Sequence, residues 1–338
     1  MTTHARPLAT FILFAYNQER FVREAAQAAF AQDYEPLEIV LSDDCSSDRT
    51  FDIMQEMAAG YRGPHSVRAA RTSRNLGVTQ HVLGRGREAR GEIVVVAAGD
   101  DISKPHRTSR IVQALGDDPA VMAVTTGFDL IDESGSQLRS GVELSDFLGG
   151  RYTPHYIRAA RHPFVRIQGS TAGYRRAVFE LPFPENAAGW EDQLLNFAIY
   201  ANGGRVAVLD ESLVLYRQHD AAIVNRAGGR SRADPEQTTI VQARMQVGKL
   251  ETFLWVTRNC SDPGVVNLAR IEDDLARWRV IAAWPDLSPG RRLVMLLRSL
   301  LAARRTLFIW QSTRIFGRFP NYQPQSWLDR RRRRSTPA

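Results

Sequence analysis

Cysteine is almost missing from this sequence: Cys45 and Cys260 are the only two in 338 residues. A disulfide framework is therefore excluded, and a reducing compartment is the expected setting. Lysine is as scarce. Lys104 and Lys249 stand alone among 44 basic residues, so the net charge of +7 rests almost wholly on arginine. Long hydrophobic runs are missing too. Ile93–Ala98 and residues 293–297 are the longest, far below the ~20 apolar residues of a membrane-spanning helix. The first residues, MTTHARPLATF, lead straight into a strand-like run without a signal-peptide pattern, so a cytoplasmic location is expected.

What is present is ordinary globular composition, 43% hydrophobic and 24% charged. The length fits one large domain with a smaller one, or two domains. A basic total serves nucleic acid, a membrane surface or an anionic substrate equally well. The placement of the charge has to decide between them.

Strand-like and helical patterns alternate in the first part of the chain. Residues 9–15 (ATFILFA) end at Tyr16-Asn17, and a helix follows with Phe21, Val22, Ala25 and Ala29 on one face. Residues 37–42 (LEIVLS) end in Asp43-Asp44-Cys45-Ser46-Ser47-Asp48. Ser46 or Ser47 is the expected cap of the next helix, which stops at Gly60. A short strand over 66–70 precedes Arg74-Asn75-Leu76-Gly77, then a helical segment over 78–90. Residues 92–98 are β-branched and apolar without alternation, which suits a strand buried on both faces of a parallel sheet. A helix begins near Pro105, and residues 120–131 read as a strand. This β-α-β-α series predicts a doubly wound α/β sheet, whose ligands bind beyond the strand C-termini. Tyr16-Asn17, Asp43-Asp44 and Asp100-Asp101 all fall there. Further on, residues 164–173 and 205–216 are strand-like, Trp190-Glu191-Asp192 opens a helix, and residues from about 235 onward read as helices.

Each motif has two readings. Asp100-Asp101 suits a hard cation held by carboxylate oxygens, or caps the helix near Pro105. Asp43–Asp48 suits a base or ribose, or is a polar turn. Glu191-Asp192 beside Trp190 suits a general base, or is a solvated first turn. His219, in Tyr216-Arg217-Gln218-His219, suits a metal ligand, or is a packed histidine.

In order and company these motifs resemble the family-2 inverting glycosyltransferases with the GT-A fold. The matching residues are Phe14-Ala15-Tyr16-Asn17, Ala31-Gln32-Asp33-Tyr34, the Asp43–Thr50 segment, Asn75-Leu76-Gly77, Gly91-Glu92-Ile93, Gly99-Asp100-Asp101, Glu191-Asp192 and Tyr216–His219, over about residues 7–225. Three departures stand out. Cys45 replaces a frequent Gly, Gly99 replaces an acidic or hydroxyl residue, and residues 80–87 lack a frequent Ala-Arg-Asn.

The resemblance implies a Rossmann-like mixed α/β sheet flanked by helices, with a C-terminal helical extension. The catalytic domain would span 1–230, with a nucleotide-sugar half to about 130 and an acceptor half from 131, before a helical region over 231–338 with a basic tail. It implies a nucleotide-diphosphate sugar donor, UDP-sugar favoured, a saccharide or lipid-linked hydroxyl acceptor, and Mg²⁺ or Mn²⁺. Asp101 is the first expected metal ligand and His219 the second, with Asp100 on the ribose or bridging through water. Asp44 would meet the base, and Ala15, Tyr16, Asn17, Glu19 and Asn75 would border the nucleotide. Gly169 and Ser170 would border the donor sugar. Asp192 is the expected general base, with Glu191 and Trp190 shaping the acceptor pocket. The alternatives are a nucleotidyltransferase, which would want a Gly-rich phosphate loop after the first strand that residues 15–19 do not supply, and a catalytically silent scaffold.

The tail reads RRLVMLLRSLLAARRTLFIW over residues 291–310, a basic amphipathic helix followed by more arginine at 330–334. It suits docking on the inner face of the cytoplasmic membrane, or a helix packed on the catalytic domain with a solvated basic face. No nucleic-acid recognition module accompanies it, so nucleic acid is not expected.

Overall fold

A computed structural model describes residues 6–142, 156–157, 164–219, 235–288, 290, 291 and 294. Nearly all of the 291–310 segment lies outside the described residues.

β1 (Ala9–Ala15), β2 (Leu37–Asp43) and β4 (Ile93–Ala98) are almost wholly buried, as their unbroken apolar runs predict. β3 (Ser66–Arg71) pairs with β2 and completes a parallel set in the order β3-β2-β1-β4. The chain winds outward from β1 through β2 to β3, then returns to the other side of β1 for β4. That reversal opens a crevice at the carboxyl ends of β1 and β4. The register makes the strand ends level: Ala15 lies beside Asp43, and Phe14 lies beside both Ser42 and Ala98. The loops after these strands therefore meet.

The second half of the sheet is mixed. β8 (Gly173–Arg175) runs antiparallel to β4 and to β6 (Val121–Ile131). β9 (Arg205–Arg217) runs parallel to β6 and antiparallel to the two-residue β5 (Ile102–Ser103), and β7 (Gln137–Val142) pairs with β6. Helices α1 (Val22–Phe30), α2 (Thr50–Gly60), α3 (Val78–Glu88) and α4 (Arg107–Leu115) connect the early strands. α5 (Glu191–Ala201) precedes β9, and α6 (Pro235–Asn259) and α7 (Leu268–Ala283) follow it. One core gathers Phe11, Leu13, Ile39, Leu41 and Val95 from the sheet with Val22, Ala25, Ala29 and Met54 from the helices. Each large apolar side chain so buried contributes on the order of 2 kcal/mol.

Two compact units can be distinguished. Residues 1–222 with 248–272 form one, and residues 223–247 with 273–338 form the other. In the second, Ala243, Ile281 and Trp284 make a small core with Trp278, Val280 and Leu287. Among the described residues no helix is long and apolar enough to cross a membrane.

Two local expectations fail. Neither Ser46 nor Ser47 caps α2. Arg49 is the N-cap residue, and Asp48 before it accepts the Thr50 N–H on Oδ1 at 2.9 Å, while Ser46 turns back to Asp43 and accepts the Asn17 N–H at 2.9 Å. Residues 164–173 are not a strand. The chain is unpaired to Gln168, closes a 3₁₀ turn over Gly169–Thr171, and pairs only in β8. Arg107 takes the Ser170 carbonyl at 2.8 Å, and the Ala172 carbonyl accepts the Val96 N–H of β4 at 3.0 Å and Arg107 at 3.4 Å.

Candidate active site

The two consecutive aspartates after β2 divide their work. Asp43 is fully buried and holds its own loop, accepting the Ser46 N–H at 2.9 Å and pairing with Arg71 at 3.2 Å. Asp44 holds the neighbouring loop. Its oxygens accept the Leu76 and Gly77 N–H groups at 2.9 Å each and the Thr72 hydroxyl at 3.1 Å. The loop of Asn17 joins them: its Oδ1 accepts the Ser47 N–H at 2.8 Å. Glu19 accepts the Arg49 N–H at 3.0 Å and donates its own N–H to Asp48 at 3.1 Å. Asn75 accepts the Gly77 N–H at 2.9 Å. Ala15 accepts the Asp44 N–H at 3.0 Å, and the Tyr16 ring is exposed beside it. Cys45 sits at φ 60°, the left-handed region that glycine occupies without strain. That conformation accounts for a glycine preference at this position.

Gly99 lets the end of β4 approach β1. A Cβ there would meet Gln18 Oε1 at 2.6 Å and the Ala15 Cβ at 2.7 Å. The turn that follows presents Asp100 and Asp101 in different ways. Asp100 faces His219, with Oδ2 3.0 Å from Nε2. Asp101 points inward, where its Oδ1 accepts the Arg217 N–H at 2.9 Å. Burial, reinforced by the negative charge of Asp100, pushes the Asp101 carboxyl well above the usual range. The structure thus pairs His219 with Asp100 rather than with Asp101.

The second carboxylate pair opens α5. Trp190 is its N-cap residue, and Asp192 Oδ1 accepts the Gln193 N–H at 2.6 Å. Burial and the Asp192 charge raise the Glu191 carboxyl, and burial raises Asp192 against the opposing pull of Arg166 and Lys249. Gly169 packs directly against Glu191, and a Cβ at Gly169 would collide with Glu191 Oε1. Ser170 adjoins it in the same turn. Charges from both carboxylate pairs bear on Tyr216. Burial raises the Tyr216 phenol, and the charges of Asp101, Asp100 and Asp192 all add to that rise. The residues expected around the nucleotide, the cation and the base all belong to the first compact unit.

Two residues without a role of their own in the sequence motifs hold this arrangement. Arg107 is fully buried and donates to Ser103 Oγ at 2.8 Å and to the Val96 and Ser170 carbonyls at 2.6 and 2.8 Å. Burial lowers it to about 9, with Asp101 opposing, so it stays charged at neutral pH. An arginine in the first turn of a helix opposes the dipole, and that mismatch is its trace in the sequence. Arg217 lies inside the quoted Tyr216–His219 motif and ties the Asp100–Asp101 turn to the elements around it.

A divalent cation fits this donor set. Asp100 and His219 bring one hard oxygen and one imidazole nitrogen together, and Mg²⁺ or Mn²⁺ bound with a nucleotide draws its remaining ligands from phosphate and water. Among the described residues no group of three His, Cys, Asp or Glu side chains gathers to hold a metal without a substrate.

Comparison with known proteins agrees with this geometry. The chain is 26% identical over 317 residues to an uncharacterized glycosyltransferase of Nostoc sp., covering 88% of this chain and 95% of that protein. It is 28% identical over 228 residues to the poly(ribitol-phosphate) β-N-acetylglucosaminyltransferase TarS of Staphylococcus aureus, covering 61% of this chain and 34% of that one. The fold matches TarS residues 1–349 in complex with UDP, at a TM-score of 0.55 and 18% identity over 93% of both chains. It also matches a mannosyltransferase of Pyrobaculum calidifontis in complex with GDP-Man and Mn²⁺, at a TM-score of 0.54 and 18% identity over 92% of this chain and 85% of that one. The family model of glycosyl transferase family 2 matches residues 10–181, half of the chain and the whole parallel set of strands. With its GT-A sheet, this chain belongs to glycosyltransferase family 2.

Proposed function

We propose that this chain is a metal-dependent inverting glycosyltransferase that moves a sugar from a nucleotide-diphosphate donor, UDP-sugar favoured, to a hydroxyl acceptor. The observation that carries this reading is the meeting of Asp100 and His219 from distant parts of the chain, with a second carboxylate pair at the start of α5. Asp100 meets His219 at the ends of β4 and β9, Glu191 and Asp192 open α5, and Tyr216 lies in the field of both.

Asp100 and His219 would hold Mg²⁺ or Mn²⁺, which supplies Lewis-acid neutralisation of the departing diphosphate. Asp101 holds the turn from beneath. The base lies against Tyr16 and the loops of Asn17, Glu19 and Asn75. Three donors on the Asp44 carboxylate leave one lone-pair direction for a base N–H. Gly169 and Ser170 border the donor sugar, and Trp190 and Glu191 shape the acceptor pocket. Asp192 accepts the proton of the acceptor hydroxyl while that oxygen bonds to the anomeric carbon from the face opposite the diphosphate. The bond to the diphosphate breaks in the same event, so the configuration inverts. Transfer concerted with bond formation relaxes the demand on the base, because the hydroxyl acidifies as its bond to carbon forms.

Nucleotides bound by the solved neighbours, UDP in one and GDP-Man with Mn²⁺ in the other, support a nucleotide-sugar donor and a divalent cation. The polymer acceptor in the name of TarS supports a role in bacterial surface polysaccharide or glycolipid assembly. We place the enzyme in the cytoplasm, with residues 291–310 docking it on the inner membrane face beside a lipid-linked acceptor. Deleting residues 290–338 would then abolish partitioning onto anionic vesicles.

The direct test is a panel of UDP- and GDP-sugars with Mg²⁺ or Mn²⁺, read as nucleoside diphosphate release with and without acceptor extract. Release from one donor, dependent on the cation, is the expected result. No release from any donor would count against the reading.

A further inference from the structure

Arg217 has more structural partners than its place at the end of a strand requires. Its side chain is 2% exposed. Nε donates to the Asp100 carbonyl at 2.9 Å, and Nη1 donates to the Glu133 and Asp132 carbonyls at 2.9 and 3.4 Å. Nη2 pairs with Glu24 on α1 at 2.5 Å. Its own backbone N–H meets Asp101 Oδ1 at 2.9 Å. The guanidinium lies 5.1 Å from the centre of the Phe21 ring, and the same ring lies 4.7 Å from the His219 imidazole.

One residue therefore grips the Asp100–Asp101 turn from behind, two positions before the histidine that meets Asp100 from the front. The fork is needed, because three nitrogens serve three separate segments: the turn after β4, the turn after β6, and α1. A lysine ammonium gathers its three donors on one nitrogen and lacks the spread of the guanidinium fork over three segments. The ion pair itself does not explain the choice, because Glu24 is half exposed and exposed pairs contribute little to stability. The network stands against the one carboxylate that pairs with His219.

We propose that Arg217 is a positioning residue of the cation–diphosphate site, fixing the Asp100–Asp101 turn against His219 and anchored through Glu24 to the helix that follows the donor loop. This rests on the metal-dependent reading above. Arg217 touches no reacting atom. It acts through Asp100, and Glu24 acts through Arg217.

The test is titration of Mn²⁺ into the full chain with uridine or guanosine diphosphate present, followed by calorimetry and by the electron paramagnetic resonance of free Mn²⁺. Arg217→Lys is expected to weaken Mn²⁺ binding at least about tenfold, the range seen when partners that orient metal ligands are removed. Glu24→Gln should weaken it about threefold, a partial loss of the same orienting effect. Glu24 is half exposed, so this second variant is expected to keep the wild-type melting temperature and the acceptor KM. If Arg217→Lys does not fold, Glu24→Gln decides alone. Wild-type Mn²⁺ binding in a folded Arg217→Lys, or in Glu24→Gln where Arg217→Lys does not fold, would overturn the positioning role and leave the metal-dependent reading intact. A wild-type chain that binds no Mn²⁺ with either nucleotide would overturn both.

Discussion

The imidazole of His219 lies 3.0 Å from the carboxylate of Asp100, across 119 residues of chain. The contact exists because β9 and β4 end at the same edge of the sheet. On the metal-dependent reading proposed above, it makes Asp100 the carboxylate that shares a cation with the histidine. Asp100→Asn and His219→Gln should each lower kcat/KM by about 10²-fold or more, since a cation at the leaving group supplies several kcal/mol of charge stabilisation. A chelator should abolish the wild-type activity and change little in either variant. Assays of diphosphate release with graded Mn²⁺ check this, and a variant that keeps full metal-dependent turnover would remove its residue from the site.

Asp192→Asn should reduce turnover by about 10²–10⁴-fold, the span of general-base contributions, while leaving nucleotide affinity unchanged. Diphosphate release and nucleotide binding, measured side by side, separate the two effects. Equal losses in both would mean that Asp192 supports the fold or the donor instead.

The pH profile follows from the same pair. Burial raises both Glu191 and Asp192, the Asp192 charge raises Glu191 further, and a raised carboxyl keeps its proton to higher pH. The base form grows as pH rises, so kcat/KM should climb along an acid limb centred above the ordinary carboxylate range of about 4. A limb centred at that ordinary value would show that the pair is ionised throughout and that neither burial nor repulsion governs it.

Glu38 should govern acid stability. Burial pushes its carboxyl up, but hydrogen bonds from Thr10 and Arg90 outweigh that and leave it below its ordinary 4.5. A depressed carboxyl stabilises the fold above its unfolded value, and that stabilisation is lost as pH falls through the folded value. Glu38→Gln should cost about 1–3 kcal/mol at pH 7, typical of hydrogen bonds to a charged group. The difference from wild type should shrink below pH 4.5. Urea unfolding at pH 7 and pH 3.5 measures both quantities, and a pH-independent difference would contradict the assignment.

Cys45→Gly should be neutral or stabilising by up to about 1 kcal/mol. The left-handed φ of 60° costs a non-glycine residue about 1–2 kcal/mol, part of which glycine returns as lost chain entropy. Thermal unfolding tests this. A destabilisation beyond 1 kcal/mol would assign the thiol a packing role that outweighs the strain.

Much of this protein is legible in its sequence, for a local reason. The apolar runs of β1, β2 and β4, and the polar clusters at their ends, follow from burial on both faces and from where chain reversals fall. The order of the motifs carries the family. Neighbours along the chain decide such features.

Tertiary structure decided the rest. Residues 164–173 look like a strand, yet they close a 3₁₀ turn whose Ser170 carbonyl accepts from Arg107. Ser46 looks like a cap, yet it turns to Asn17 and Asp43 across the strand ends. Asp100 and Asp101 are adjacent and chemically identical, so no local pattern separates them. What separates them is the approach of β9, which brings the Arg217 N–H to one carboxylate and the His219 ring to the other. Composition and order set the chemistry available to the chain, whereas long-range pairing assigns each carboxylate its part, because contacts at a distance in sequence exist only once the sheet has formed.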